Sequence, residues 1–315
     1  MIKINRKLII LALIILIFYI GITSISAASF DDVQDKIDIA TSGDEVYLEN
    51  TTYDGSGMEI TVNKDLTIHG GSAIDHNKKS TLDAKRLSRI FDVTGNHNVS
   101  FINLILINGK ANNNNGGSIT ISNSNFILIN CTFINSSTTG DSYNGGAIYH
   151  NGAGSFSVVN SSFINSSTKG QNSHGGDIYH SGDGIGSVVN SSFVNSSTKG
   201  QNSHGGDIYH SGTGSFSVVN SSFMNSSTNG QSSHGGAIFN YGAGSFSVVN
   251  SSFMNSSTNG QSSRGGAISH SGTGSFSVVN SSFMNSSTNN INSRGNLELY
   301  FIVVMVLVVL LILVL

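Results

Sequence analysis

The sequence predicts an all-β solenoid, a rod of stacked parallel strands, and three observations predict it. From about residue 145 the chain copies itself every 30 residues: Ser155-Phe156-Ser157-Val158-Val159-Asn160-Ser161-Ser162-Phe163 returns almost unchanged at 215, 245 and 275, with a variant at 185. Within each unit, short runs rich in Val, Ile and Phe are punctuated by Gly, Asn and Ser, the composition of strands and turns. A unit this short cannot bury its own apolar face, so each must stack on its neighbours. Helical repeats are excluded because no unit carries a sustained i, i+3, i+4 apolar pattern, and Gly, Ser, Asn and Thr are poor helix formers.

Taken in chain order, the first segment has Lys3, Arg6 and Lys7, an apolar run over 8–20 and small residues up to Ser26-Ala27-Ala28, the layout of a secretory signal at 1–28. An uncleaved anchor helix is the alternative reading of the same run. Residues 29–110 are expected to hold the cap and the first coils. An amphipathic helix over 31–40, with Phe30, Val33, Ile37 and Ile39 as its apolar set, is placed to cover the open lower end, whose unpaired strand edges would otherwise invite aggregation. Strands follow at 45–48, 60–62, 66–68 and 90–93.

The 30-residue units occupy 111–298. Val158 and Phe163 return as Val188/Phe193, Val218/Phe223, Val248/Phe253 and Val278/Phe283, after Leu128/Phe133, and Gly145-Gly146-Ala147-Ile148 returns at 175, 205, 235 and 265, after Gly116-Gly117-Ser118-Ile119. Strict alternation turns Ile148, Val158 and Phe163 inward and Ala147 and Tyr149 outward. It also places Asn130, Asn160, Asn190, Asn220, Asn250 and Asn280 at an inner corner, where their amides are expected to form a structural ladder along the stack. Residues 299–315 are apolar apart from Tyr300 and read as a C-terminal membrane anchor, with a truncated reading end as the alternative.

The chain resembles the adhesin-like surface proteins of methanogenic archaea on Gly43-Asp44, Leu66-Thr67-Ile68-His69-Gly70 and Asn103-Leu104 leading to Ile107-Asn108-Gly109. That resemblance implies a right-handed parallel β-helix of the pectate-lyase-like superfamily. Phe163-Ile164-Asn165 with Gly175-Gly176 is similar to the repeats of chlamydial polymorphic membrane proteins, although Asn165 follows Phe163 by two residues where those repeats use three. No segment reads as the β-barrel that such autotransporters use, which favours the archaeal resemblance.

Composition narrows the function. Only 10% of the residues are charged and the net charge is −3, so the sequence carries no basic nucleic-acid footprint. The single Cys131 cannot close an internal disulfide, and nothing implies a cofactor. Pectate-lyase-like rods include polysaccharide lyases and hydrolases, so clustered carboxylates matter. Asp177 and Asp207 are the weak candidates for an acid/base or metal site; they take the Ala147 position in adjacent units and are expected on the outer face. His174, His204 and His234 form a second column, and Lys169 and Lys199 a third. Duplication of one unit generates all three columns without selection for chemistry.

Asn-x-Ser/Thr sequons recur twice per unit. If Asn160 and its copies face inward, glycans are expected on Asn135, Asn165, Asn195, Asn225, Asn255 and Asn285. The expected function is that of a non-enzymatic surface adhesin binding glycans, cell-wall polysaccharide or neighbouring cells through repeated loops and outward Tyr149, Tyr179, Tyr209 and Phe239. A ligand-free wall or surface-layer spacer, and a carbohydrate-active enzyme, are the other readings.

Overall fold

Gly, Asn and Ser turn the chain at fixed points, and successive coils lie on one another. The computed structural model describes residues 27–75 and 77–288. The expected signal, all but its last two residues, and the expected anchor at 299–315 lie outside the described residues. Strands of successive coils pair in parallel as four sheets. Two are nine-stranded, running from Asp44–Leu48 to Phe276–Val279 and from Thr52–Asp54 to Ser282–Met284; one is eight-stranded, from Ile60–Val62 to Ile268–His270; and one is seven-stranded, from Lys110–Asn112 to Ser287–Thr288. A single coil uses Ile148–Asn151, Phe156–Val159, Ser162–Ile164 and Ser167–Thr168. Ile148 pairs with Ile178, Val158 with Val188, Phe163 with Phe193 and Ser167 with Ser197, so the sequence repeat is the coil.

Two kinds of residue make the turns. In each Gly-Gly pair from Gly116 onward the first glycine has a positive φ, +67 at Gly175, which side chains disfavour. The second, Gly176, packs so close that an added Cβ would lie 1.9 Å from the Gly206 carbonyl oxygen of the next coil. Asn160 and Asn165 turn the other corners in the left-handed region, at φ 51 and 59, and their counterparts in the neighbouring coils do the same. Asparagine tolerates this conformation better than other residues with a Cβ.

The interior is a set of aligned columns. Phe133, Phe163, Phe193, Phe223, Phe253 and Phe283 stack face to face with centroid spacings of 4.7, 4.9, 4.7, 4.7 and 4.8 Å, the spacing of parallel strands. Ile148, Val158 and their copies fill the space beside them. A second column, Phe126, Phe156, Phe216 and Phe246, is interrupted at Gly186. There Phe216 leans into the gap, and the His180 ring lies 5.7 Å from Phe156 and 5.3 Å from Phe216.

Helix α1 (Phe30–Ile39) covers one end. Ser29 and Asp32 form a reciprocal capping box, and Phe30, Val33 and Ile37 are buried against the first coil. Lys64 Nζ donates to the carbonyls of Ile37 and Ala40 at 3.1 and 3.0 Å, satisfying the orphan acceptors of the last turn. Ile39 does not join this face: it is 84% exposed, because two residues along a helix rotate a side chain to the opposite surface.

Truncating Phe193→Ala inside the ring column is expected to cost about 3–5 kcal/mol. Gly206→Ala, which adds only one methyl group, is expected to lower the melting temperature at least as much, because its Cβ would lie 1.9 Å from the Gly236 carbonyl oxygen. Thermal melts followed by circular dichroism check both; an unchanged melt for either variant would contradict the dry, close-stacked interior.

Candidate functional site

Alternation fails at the start of the strands that carry the acidic residues. The N–H groups of Ala147 and Ile148 both donate to the Asp177 carbonyl, at 2.9 and 2.8 Å, and those of Asp177 and Ile178 both donate to the Asp207 carbonyl in the same way. Two successive donors on one acceptor mark a β-bulge, which puts neighbouring side chains on the same side. Ala147, Ile148, Asp177 and Asp207 are accordingly all buried, so the expected outward carboxylates are an inner pair. A polymer lying on the outer surface cannot touch them.

The two asparagine columns also differ from expectation. Asn130, Asn160, Asn190, Asn220, Asn250 and Asn280 are exposed at the corner; they do not form an internal ladder. The amide ladder belongs to the other column: Asn165 Nδ2 donates to Asn135 Oδ1 at 3.4 Å, Asn195 to Asn165 at 3.2 Å, Asn225 to Asn195 at 2.9 Å, Asn255 to Asn225 at 3.0 Å and Asn285 to Asn255 at 3.2 Å, all on the surface. Both columns recur because each corner needs a left-handed residue, and both sequon sets face solvent. The inner polar ladder is built from serine. The Ser161 N–H donates to Ser191 Oγ at 3.1 Å, while Ser191 Oγ donates to the Val189 carbonyl at 2.8 Å, and Ser221, Ser251 and Ser281 continue the series. Cys131 takes the same position one coil earlier, and burial pushes its thiol up to about 12.

Tyr149, Tyr179, Tyr209 and Phe239 lie on the outer side of the eight-stranded sheet, but the loop of the preceding coil folds over the last two. The His174 ring stacks 4.5 Å from Tyr209 and His204 lies 4.6 Å from Phe239. Tyr209 and Phe239 are therefore buried and are not the outward contacts expected of them; Tyr149 and Tyr179 are half-buried. The tyrosines also stack on one another, at 5.1 Å between Tyr149 and Tyr179 and 5.0 Å between Tyr179 and Tyr209, so ring edges rather than faces reach solvent.

The histidines of this covering column have fixed tautomers. The N–H of His204 donates to His174 Nδ1 at 3.1 Å, that of His234 to His204 Nδ1 at 2.9 Å and that of Arg264 to His234 Nδ1 at 3.0 Å. Each neutral ring thus spends its Nδ1 lone pair on the backbone and carries its proton on Nε2, which leaves no lone pair for a metal. Among the described residues no group of three or more His, Cys, Asp or Glu is placed to hold a metal ion. A further column, His150, His180 and His210 continued by Asn240, is wholly buried, with Nδ1 of His180 and His210 3.0 Å apart. The signal of this column is present in the sequence: the sixth position of Gly-Gly-x-Ile-x-His stays polar in every copy from 145 onward. Lys169 and Lys199 stand on the outside. Beyond partial burial, Arg86, Lys199 and Lys110 hold the Lys169 amine below its ordinary range, so the four cations share one side of the rod.

No family model matches the sequence, and no curated protein matches it. Among solved structures, a double variant of a pectate lyase from Xanthomonas campestris aligns with 86% of this chain and 80% of its own at 13% identity and a TM-score of 0.40. The A-module of the mannuronan C-5 epimerase AlgE4 from Azotobacter vinelandii aligns with 85% of this chain and 94% of its own at 10% identity and a TM-score of 0.24. These likenesses concern the coil architecture only.

Burial lowers His150 and His210 to about 4 and His180 well below its ordinary range, so the folded state holds fewer protons on them than the unfolded chain does. Their contribution is present above pH 6.5 and is lost as pH falls toward 4. The buried Asp pair works in the opposite direction, so the expected result is a difference. His180→Asn/His210→Asn, which copies Asn240 of the same column, should lose less melting temperature than the parent between pH 7 and pH 4.5. Equal slopes would mean that the rings are solvated in the folded state.

Proposed function

We propose that this protein is an adhesin-like rod at the cell surface that attaches to glycans or cell-wall polysaccharide through many weak, identical contacts. The observation that carries this reading is the exposed amide ladder from Asn135 to Asn285, which offers one pinned side-chain amide per coil along one edge of the rod. A flexible polymer of hydroxyl-bearing sugars meets the same group at each coil, and repetition converts weak contacts into avidity. Arg86, Lys110, Lys169 and Lys199 on one side of the rod extend the reading to acidic polysaccharides. Placement at the cell surface is part of the proposal and rests on the leader pattern at 1–28 and the apolar segment at 299–315. Among the described residues no helix is long and apolar enough to cross a membrane.

The withdrawal of Asp177 and Asp207 from the surface favours attachment over cleavage by those two residues. A ligand-free spacer differs from an adhesin in one measurable respect, retention on polysaccharide. The full chain is expected to bind neutral and acidic polysaccharides on an array without releasing products, and its binding to acidic ones should weaken with salt. Lys169→Ala/Lys199→Ala should reduce that acidic binding roughly three- to tenfold, as two exposed charges worth about 0.3–0.7 kcal/mol each imply. Absence of retention on every polysaccharide would leave the spacer reading, and liberated oligosaccharides would make the protein an enzyme.

A further inference from the structure

The exposed amide ladder extends below Asn135 and ends on a charge. Asn135 Nδ2 donates to Asn108 Oδ1 at 3.5 Å, and Asn108 Nδ2 donates to Asp83 Oδ1 at 2.9 Å. From Asn285 down to Asp83 every bond has the same sense: the nitrogen of each amide faces the preceding coil and its oxygen faces the following one. All of these asparagines turn a left-handed corner, with φ between 51 and 59, so their side chains superpose from coil to coil. Asp83 lies at the foot of the column, where it pairs with Ile107, the residue before Asn108.

A column of amides is equally satisfied in either sense, because each side chain has a donor side and an acceptor side. The foot of the column removes that choice. Asp83 is buried, and an ionised carboxylate can only accept. Its Oδ1 also accepts the Lys85 N–H at 2.8 Å, and its Oδ2 faces Lys85 Nζ at 3.3 Å, which reaches Asp54 Oδ1 at 3.0 Å. Burial opposes the charge, but the hydrogen bonds from Asn108 and Lys85 outweigh it and hold the carboxyl below its ordinary range. Asn108 must therefore turn its nitrogen to Asp83, which leaves its oxygen to face Asn135, and Asn135 must answer with nitrogen. Among the described residues the higher rungs bond through their side chains to the asparagines beside them, so the choice passes upward unopposed. Hydrogen bonds in series polarise one another, and aligned amide dipoles add as they do along a helix, with the positive end on the Asp83 charge.

We propose that Asp83 is the positioning residue of the amide edge: it gives the ladder a single direction, and the edge accordingly holds a linear sugar polymer in one orientation along the rod. The second half rests on the glycan-binding reading above; the first does not. Each rung keeps one N–H and one oxygen lone pair beyond those spent on its neighbours. With one direction imposed, these groups repeat in the same order at every coil, about 4.8 Å apart. A polysaccharide has two chemically different ends, so a chain laid the other way round meets donors and acceptors in reversed order. Asp83 thus acts on the bound polymer through the asparagines and touches none of it.

The test reads the asparagine side-chain amides of the full chain by NMR, assigned through single Asn→Ser exchanges. Asp83→Ala removes the acceptor at the foot; Asn108→Gly keeps the carboxylate and the left-handed corner but cuts the ladder from it. In both variants the amide signals of every rung from Asn135 to Asn285 are expected to move and to lose their single set of shifts, while backbone signals of the Phe163 column stay in place. Asp83→Asn, whose oxygen can still accept from Asn108, is expected to restore the parent pattern in the upper rungs. Changes confined to Asn108 and Asn135 would show a merely local role and overturn the proposal. A linear β-1,4-linked glucose hexasaccharide with a nitroxide at its reducing end is then expected to broaden signals at one end of the ladder in the parent and at both ends in Asp83→Ala. Broadening at both ends in the parent would overturn one-way binding. No broadening at all would overturn it together with the glycan reading, and the amide response would still decide whether Asp83 directs the ladder.

Discussion

Hydrogen bonding between consecutive coils is the constraint on which everything else here depends. A strand in this rod is a few residues long, and its N–H and C=O groups point along the axis, so nothing within its own coil can satisfy them. Each coil is therefore finished by the coils above and below. The requirement fixes the spacing of the phenylalanine column, makes Gly176 and its copies irreplaceable by any residue with a Cβ, and leaves an end that needs covering. Helix α1 is that cover at the beginning of the rod. At the other limit of the described residues, Ile268, Phe276, Val278 and Phe283 are only partly buried.

Periodicity made the fold legible. A 30-residue copy with Phe and Val at fixed places leaves little besides a stack, and the inward columns of Ile148, Val158 and Phe163 follow from alternation alone. The capping helix was legible through its Phe30, Val33 and Ile37 spacing, whereas Ile39 misled because apolar character outweighed helical phase. The corners were harder. Asn160 read as interior because it falls in step with Val158, but a left-handed residue breaks that step and swings its side chain out. Serine hid the true internal ladder in the opposite way: in a chain where serine is everywhere, Ser161 and Ser191 carry no distinguishing mark.

Asp177 and Asp207 failed for a related reason. Their place in the sequence is one step before an inward isoleucine, and alternation assigns such a place to solvent. The doubled donation to a single carbonyl cancels one step, and that bulge leaves no trace in residue type. Tyr209 and Phe239 were assigned to the correct side of their sheet; what the sequence did not disclose is that the loop bearing His174 and His204 lies over them. In each case the strand was legible and the irregularity beside it was not.

The near identity of the coils has a consequence for how the rod assembles. A coil displaced by one whole unit would meet the same Phe, Val, Ile and Gly neighbours, so contact energy alone barely separates correct stacking from stacking that skips a unit. Directional growth would avoid this error, because α1 and the divergent coils before residue 111 have unique partners on which each later coil could be templated. The irregular coils at Gly186, at the aspartate pair and at Asn240 are places where a skipped unit would leave a misfit.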